Sequence, residues 1–142
     1  MYDQNDYYLN MAVSLIAGDP DPTLPREFRD AMIDEEMLQD FALTLRNGYP
    51  NFVNRGIWSS MNLRGGIDMF LDESDPTVKH LVFGDRFFSE SEREEILERC
   101  AALIRDRLQR YVNAQLRNCG TNLPLKVCYK VMPNGRVGYR LE

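Results

Sequence analysis

The sequence predicts an α+β fold in a single domain that covers residues 1–142. Three observations predict it. The N-terminal half carries apolar residues at helical spacing, residues 92–117 form one long amphipathic pattern, and the C-terminus alternates apolar and polar residues around a turn. Helices followed by an antiparallel hairpin are typical of the α+β class. We expect the hairpin to pack on the long helix, and 142 residues are enough to bury a core without disulfides or metals.

Three helical segments are predicted before residue 49. In the first, apolar residues recur from position 7 to 16, Asp6 is a candidate cap, and Gly18 ends the helix. The following stretch, residues 18–25, holds three prolines and should be extended. A short helix is expected near residues 28–32, and Asp34 should cap a better one that ends at Asn47 and Gly48.

The middle of the chain, residues 49–88, is broken by glycine and proline into short pieces. Its best strand candidate is Val78–Phe83, within an expected total of one or two short strands. The sequence Arg64-Gly65-Gly66 is predicted to be a turn.

The long helix has the clearest start signal in the chain. Ser91 and Glu94 match the capping box, and Phe87 and Phe88 lie close enough upstream to contact the first turn. The helix should run from Glu92 to about residue 117 with one apolar face. That face contains Leu97, Cys100, Ala101, Ile104, Leu108, Tyr111 and Val112.

The C-terminal hairpin has a predicted register. Pro133-Asn134-Gly135 should form the loop, with Gly135 left-handed, and Met132 should pair with Arg136. Continuing the pairing sets Val131 against Val137, Tyr129 against Tyr139 and Val127 against Leu141, all on the core face. The opposite face then carries Lys126, Cys128, Lys130, Arg136, Gly138 and Arg140.

Charge is divided along the chain. Residues 1–98 hold 8 Lys or Arg against 20 Asp or Glu, whereas residues 99–142 hold 9 against 2. On a helical wheel, four arginines of the long helix form a stripe beside the apolar face, and the hairpin adds four more cations. These eight predicted partner-binding residues are Arg99, Arg107, Arg110, Arg117, Lys126, Lys130, Arg136 and Arg140.

The charge pattern favours a non-catalytic binding protein of the inhibitor, adaptor or immunity type that engages an acidic protein partner. Nucleic acid is the alternative partner for the same residues, although a pI near 5.0 and tyrosines predicted to face inward argue against it. Self-association is a further candidate, because an acidic body and a basic end are complementary. The cations also have an ordinary explanation as solvated residues with local acidic partners.

No catalytic signature is present. His80 is the only histidine and lies in an apolar segment, and Cys100, Cys119 and Cys128 show neither metal-site nor disulfide spacing. We therefore expect no cofactor, no metal and no enzymatic activity. The alternative is a small metal-dependent enzyme that uses an acidic loop from Asp68 to Asp75. No signal peptide or long apolar stretch is visible, so a soluble, cytoplasmic protein without membrane association is expected.

Overall fold

The computed structural model of the chain describes residues 4–18, 33–48, 58–73, 87–118 and 125–142. Within these ranges it confirms the α+β class, with four helices and a three-stranded antiparallel sheet. The helices are α1 (Gln4–Ala17), α2 (Glu35–Gly48), α3 (Leu63–Glu73) and α4 (Glu90–Asn118). The strands are β1 (Ser59–Met61), β2 (Val127–Val131) and β3 (Val137–Leu141). None of the described helices combines the length and apolar character that a membrane span requires.

The predicted end of α1 and the predicted start of α2 are confirmed, but the predicted start of α1 is wrong. α1 begins at Gln4, so Asp6 lies inside the helix and is not its cap. Gly18 ends α1 with a φ of 81°, and its N–H donates to the Ser14 carbonyl at 2.9 Å. Asp34 caps α2, because its Oδ1 accepts the Met37 N–H at 2.9 Å. The short helix expected near residues 28–32 lies outside the described residues.

The prediction of a turn at Arg64-Gly65-Gly66 is wrong, because these residues form the first turn of α3. Asn62 supplies the cap: its Oδ1 accepts the Gly65 N–H at 3.1 Å. Buried side chains then recur every four residues along α3, at Leu63, Ile67 and Leu71. Burial of this stripe outweighs the low helix propensity of two adjacent glycines.

The long helix α4 is confirmed, but its capping box lies two residues earlier than predicted. Ser89, not Ser91, is the cap: its Oγ accepts the Glu92 N–H at 3.2 Å, and its own N–H donates to Glu92 Oε1 at 3.0 Å. Phe88 is buried at the entry, whereas Phe87 is 79% exposed. The residue directly before the cap is therefore the one that the fold buries.

α4 is the centre of the molecule. Its 29 residues span roughly 44 Å at 1.5 Å per residue, and it packs against α1, α2, α3 and β2. Every residue predicted for its apolar face is buried except Tyr111, which is partly buried. A helix with neighbours on several sides needs this broad apolar face.

The hairpin has the predicted register, from Val127 opposite Leu141 to Val131 opposite Val137. β3 is the central strand, because β1 pairs with its other edge. The strand candidate Val78–Phe83 lies outside the described residues. In the loop, Asn134 is left-handed as well as Gly135, with φ values of 64° and 75°.

The core face of the hairpin is narrower than predicted. Val127, Val137, Tyr139 and Leu141 are buried, and Tyr139 donates to the Ala101 carbonyl of α4 at 2.9 Å. Tyr129 and Val131, predicted to face the core, are 40% and 43% exposed. Both belong to β2, which is an edge strand, so the core does not cover them fully.

Candidate functional site

The outer face of the sheet carries a cluster of cations around the single tryptophan of the chain. Strand alternation places Lys126, Lys130, Arg136 and Arg140 on the side of the hairpin turned away from α4, as predicted. Trp58, immediately before β1, extends its indole over the same face. Lys130 Nζ and Arg140 Cζ each lie 4.5 Å from the centre of the Trp58 ring. These four cations and Trp58 are called the cationic sheet face below.

Hydrogen bonds hold two of these cations in place. Arg136 Nε donates to Ser60 Oγ at 3.1 Å, which ties the guanidinium to β1. Arg140 Nε donates to Glu142 Oε1 at 2.9 Å, and this hydrogen bond holds the pKa of Glu142 below its ordinary value. Lys126 and Lys130 remain exposed. The cationic sheet face therefore combines oriented guanidinium groups with two solvated ammonium groups.

Gly138 allows the tryptophan to lie against the sheet. A Cβ at this position would be 3.0 Å from Trp58 Cβ and 2.9 Å from Met132 Sδ. Both distances are shorter than ordinary carbon and sulfur contacts, so a side chain here would force Trp58 and Met132 to shift. The glycine in the predicted cationic strand thus has a packing role that the hairpin pattern alone did not reveal.

The structure does not bring the helix stripe and the hairpin cations onto one surface. Arg99 donates to Asn10 Oδ1 of α1, and Arg110 is exposed on α4. The sheet separates its outer face from α4, because the hairpin packs its other face on that helix. The Arg117 side chain lies outside the described residues.

Arg107 is not part of an exposed stripe. Its side chain is buried, and Nη1 donates to the carbonyls of Ala17 and Ile33, the latter at 3.0 Å. These carbonyls lie at the end of α1 and just before α2. Arg107 therefore joins three helices within the fold, and its guanidinium is occupied there.

The acidic residues from Asp68 onward form part of a helix, so the predicted acidic loop is wrong for residues 68–73. Asp75 lies outside the described residues. Arg93 donates to both carboxylate oxygens of Asp72, at 2.8 and 3.0 Å, and to Asp68 at 2.8 Å. The hydrogen bond to Asp72 raises the pKa of Arg93. These carboxylates link α3 to α4.

No group of three or more metal-ligating side chains occurs among the described residues. Cys100 is buried on α4, and burial raises the pKa of its thiol to about 12, so it is protonated at neutral pH. Cys128 is partly exposed, and burial also raises the pKa of its thiol. His80 and Cys119 lie outside the described ranges.

A cleft of about 560 Å³ separates the hairpin loop from the first half of α4. Glu90, Glu94 and Glu98 line its helix side, and Val131 and Met132 line its hairpin side. Arg64 also borders the cleft, where it binds Glu90 at 2.7 Å and Asp68 at 3.0 Å. The hydrogen bond to Glu90 raises the pKa of Arg64 and lowers that of Glu90.

Sequence reasoning missed both Trp58 and this cleft. Trp58 precedes a three-residue strand whose pairing with β3 spans more than 70 residues of chain, so no local pattern placed it beside the hairpin. For the cleft, one signal was present: Glu90, Glu94 and Glu98 recur every four residues and therefore share a helix face.

Comparison with known proteins identifies no relative: no protein-family model, no curated protein and no solved structure matches the chain.

Proposed function

We propose that this protein is a non-catalytic binding protein that engages an acidic protein partner through the cationic sheet face. The observation that carries the proposal is the arrangement of Lys130 and Arg140 over Trp58, 4.5 Å from its ring centre, beside two further cations. Oriented guanidinium groups form two parallel hydrogen bonds with carboxylates, and interfaces are enriched in tryptophan and arginine.

The geometry supports a narrower contact set than the sequence did. Lys126, Lys130, Arg136 and Arg140 share one face with Trp58, and Glu142 is the carboxylate that the structure pairs with them. Arg99, Arg107 and Arg110 are directed elsewhere. We therefore assign partner contact to the sheet face and not to the helix stripe.

Nucleic acid is the second candidate, and one observation favours it. Trp58 supplies an aromatic ring among the cations, which is the pairing that single-stranded nucleic acids use for stacking and phosphate contact. One feature favours the acidic protein instead. Lys130 and Arg140 already lie over the indole, so a base would have to compete with them to stack on the ring.

The test uses Trp58 as its own reporter, because it is the only tryptophan in the 142 residues. Titration with a deca-glutamate peptide should change its fluorescence, and the double variant Lys130→Gln/Arg140→Gln should bind at least about tenfold more weakly. A matched control, Arg99→Gln/Arg110→Gln, removes the same charge from α4 and should bind like the wild type. Equal binding by the wild type and the sheet-face variant would refute the assignment.

A single-stranded oligonucleotide separates the two partner classes. Its affinity should be lower than that of the acidic peptide at the same ionic strength. If the oligonucleotide instead binds more tightly, with log affinity falling linearly against log salt, the nucleic-acid function replaces the one proposed here. Capture from lysate with wild-type and sheet-face variant baits, with and without nuclease, then identifies the natural partner by its loss with the variant alone.

A further inference from the structure

We infer that the outer edge of β2, with which no described strand pairs, binds an extended cationic peptide segment by strand addition, together with the acidic cleft beside it. This edge is called the free edge below. This surface is independent of the cationic sheet face and would take a partner of opposite charge. Three features support the inference: the direction of the backbone groups of β2, the exposure of its side chains, and the charge of the adjoining helix.

The hydrogen-bonding pattern fixes which residues of β2 face its free edge. Lys126 and Glu142 exchange both backbone hydrogen bonds at 2.9 Å, and the Met132 N–H donates to the Arg136 carbonyl at 2.7 Å. In an antiparallel pair, bonded and non-bonded positions alternate, so Val127, Tyr129 and Val131 direct their N–H and C=O groups away from β3.

Among the side chains that the structure describes, those of α4 bond this edge at its Val127 end. The Val127 N–H donates to Gln109 Oε1 at 2.8 Å, and the Val127 carbonyl accepts Arg105 Nε at 2.8 Å. Within the described ranges, no strand pairs with Tyr129 and Val131 on this side. An edge of this kind is the feature that peptides use when they add a strand to a sheet.

The side chains at the open part of the edge are apolar and accessible. Tyr129 and Val131 are 40% and 43% exposed, although both lie on the face of the hairpin that is directed towards α4. Val131 also lines the cleft of about 560 Å³. A strand placed along this edge would therefore bury apolar surface as well as pair its backbone.

The negative charge of α4 beside the β2 edge favours a cationic peptide. Glu94 and Glu98 line the cleft with Val131, and neither has an ion pair within the part of the chain that the structure describes. Positions 94, 98, 105 and 109 share one face of α4. Glu94 and Glu98 therefore lie on the same side of the helix as Arg105 and Gln109, nearer its N-terminus. Lysine or arginine on the added strand would place its aliphatic part on Val131 and its charge near these carboxylates.

A second copy of this chain fits the edge less well. Pairing β2 with β2 across a two-fold axis would run the two strands antiparallel, so the open end of each strand would lie towards the Val127 end of the other, which Arg105 and Gln109 of α4 already occupy. A basic peptide has no such conflict. We therefore assign the edge to a cationic segment of another protein.

The probe is a capped heptapeptide that alternates lysine and threonine, which is cationic and favours an extended conformation. We expect it to bind the wild-type protein and its glutamate–threonine counterpart not to bind. Glu94→Gln/Glu98→Gln should weaken binding at least about fivefold, whereas Glu36→Gln/Asp40→Asn on α2 removes the same charge and should not weaken it. Equal loss in both double variants would refute a local acidic contact.

Val131→Pro tests strand addition separately from charge. Proline removes the N–H that faces the free edge and replaces the isopropyl group with an apolar ring of similar size, at a position where edge strands tolerate proline. We expect this variant to keep the wild-type circular dichroism spectrum and to bind the peptide at least about tenfold more weakly. Unchanged affinity would overturn the proposal, because the peptide would then be held by charge alone.

Amide hydrogen exchange in the wild-type protein tests strand addition without a substitution. The N–H groups of Tyr129 and Val131 should become at least about tenfold more protected when the peptide is added. Exchange unchanged at both positions under saturating peptide would overturn the proposal. A wild-type dimer in sedimentation that Val131→Pro dissociates would also overturn it, since the edge would then belong to a second copy.

Discussion

Arg107 is a charged residue that the fold uses internally. The residue is 8% exposed, and its guanidinium donates to the carbonyls of Ala17 and Ile33. The Ala17 carbonyl is at the C-terminus of α1, where helix carbonyls lack intrahelical partners and the helix dipole is negative. Arg107 therefore donates hydrogen bonds both to the last carbonyl of α1 and to the carbonyl of Ile33, just before α2.

We expect Arg107→Met to destabilise the protein by about 2–4 kcal/mol, because it leaves two buried carbonyls without a donor. Urea denaturation followed by circular dichroism measures the loss. Arg110→Met is the matched control on the same helix; Arg110 is exposed, so its replacement should change stability by less than about 0.5 kcal/mol. Similar midpoints for the two variants would contradict the structural role of Arg107.

The sequence carries only a weak signal that separates Arg107 from Arg110. On a helical wheel at about 100° per residue, Arg107 lies at the border of the apolar face beside Cys100, and Arg110 lies about 60° further from that face. Periodicity does not say whether a neighbouring helix covers a border position. That depends on α1 and on Ile33, which are 90 and 74 residues away in the chain. Charge patterning therefore counted Arg107 among the exposed cations, although the fold buries it.

At the scale of single elements, the start of α4 offers a direct comparison of two serines. Ser89 and Ser91 each precede a glutamate by three residues, but only Ser89 makes the reciprocal hydrogen bonds with Glu92. We expect Ser89→Ala to cost about 1 kcal/mol of unfolding free energy and Ser91→Ala to cost less than about 0.5 kcal/mol. Thermal or urea denaturation of the two variants measures the difference, and the reverse order would place the cap at Ser91.

Elements held by local interactions were predictable, and those held by distant ones were not. The hairpin register follows from a three-residue loop and alternating side chains, so the sequence predicted all three apolar pairs correctly. β1 depends on pairing with β3. In α3, apolar residues recur every four positions at Leu63, Ile67 and Leu71, but the two adjacent glycines favoured a turn, and the sequence did not show that this stripe would be buried. The same limit applies to Trp58, which only tertiary pairing brings to the cationic sheet face.

At the scale of the whole molecule, basic and acidic residues that are separated in the sequence lie on different surfaces of the fold. The hairpin cations occupy the outer face of the sheet, while Glu90, Glu94 and Glu98 line a cleft on the other side of the hairpin. Arg64 and Arg93 neutralise part of the acidic body by binding carboxylates of α3 and α4. The net charge of −5 is therefore the sum over a molecule that has two surfaces of opposite charge, one on each side of the hairpin.

The interior that joins these surfaces contains two neutral groups whose ionisation the fold opposes. Tyr139 of β3 donates its hydroxyl to the Ala101 carbonyl, one residue after Cys100 on α4. Burial is the largest cause of a raised pKa at both side chains, to about 12 at Cys100. Sheet and helix thus meet at a point that tolerates the thiol and the phenol only in their protonated forms.

This arrangement gives the stability of the protein a definite dependence on alkaline pH. A group whose pKa is raised on folding stabilises the protein fully below its unfolded pKa, and that contribution is lost as the pH rises towards its folded pKa. Ordinary values are 9.0 for cysteine and 10.0 for tyrosine, so the unfolding free energy should begin to fall near pH 9 and fall more steeply above pH 10. Each group contributes a slope of up to about 1.4 kcal/mol per pH unit.

Urea denaturation between pH 7 and 11, with a reductant present, measures how the unfolding free energy depends on pH. Cys100→Ala should flatten this dependence between pH 9 and 10, and Tyr139→Phe should flatten it above pH 10. A wild-type slope that neither substitution changes would show that ionisation elsewhere governs the alkaline loss.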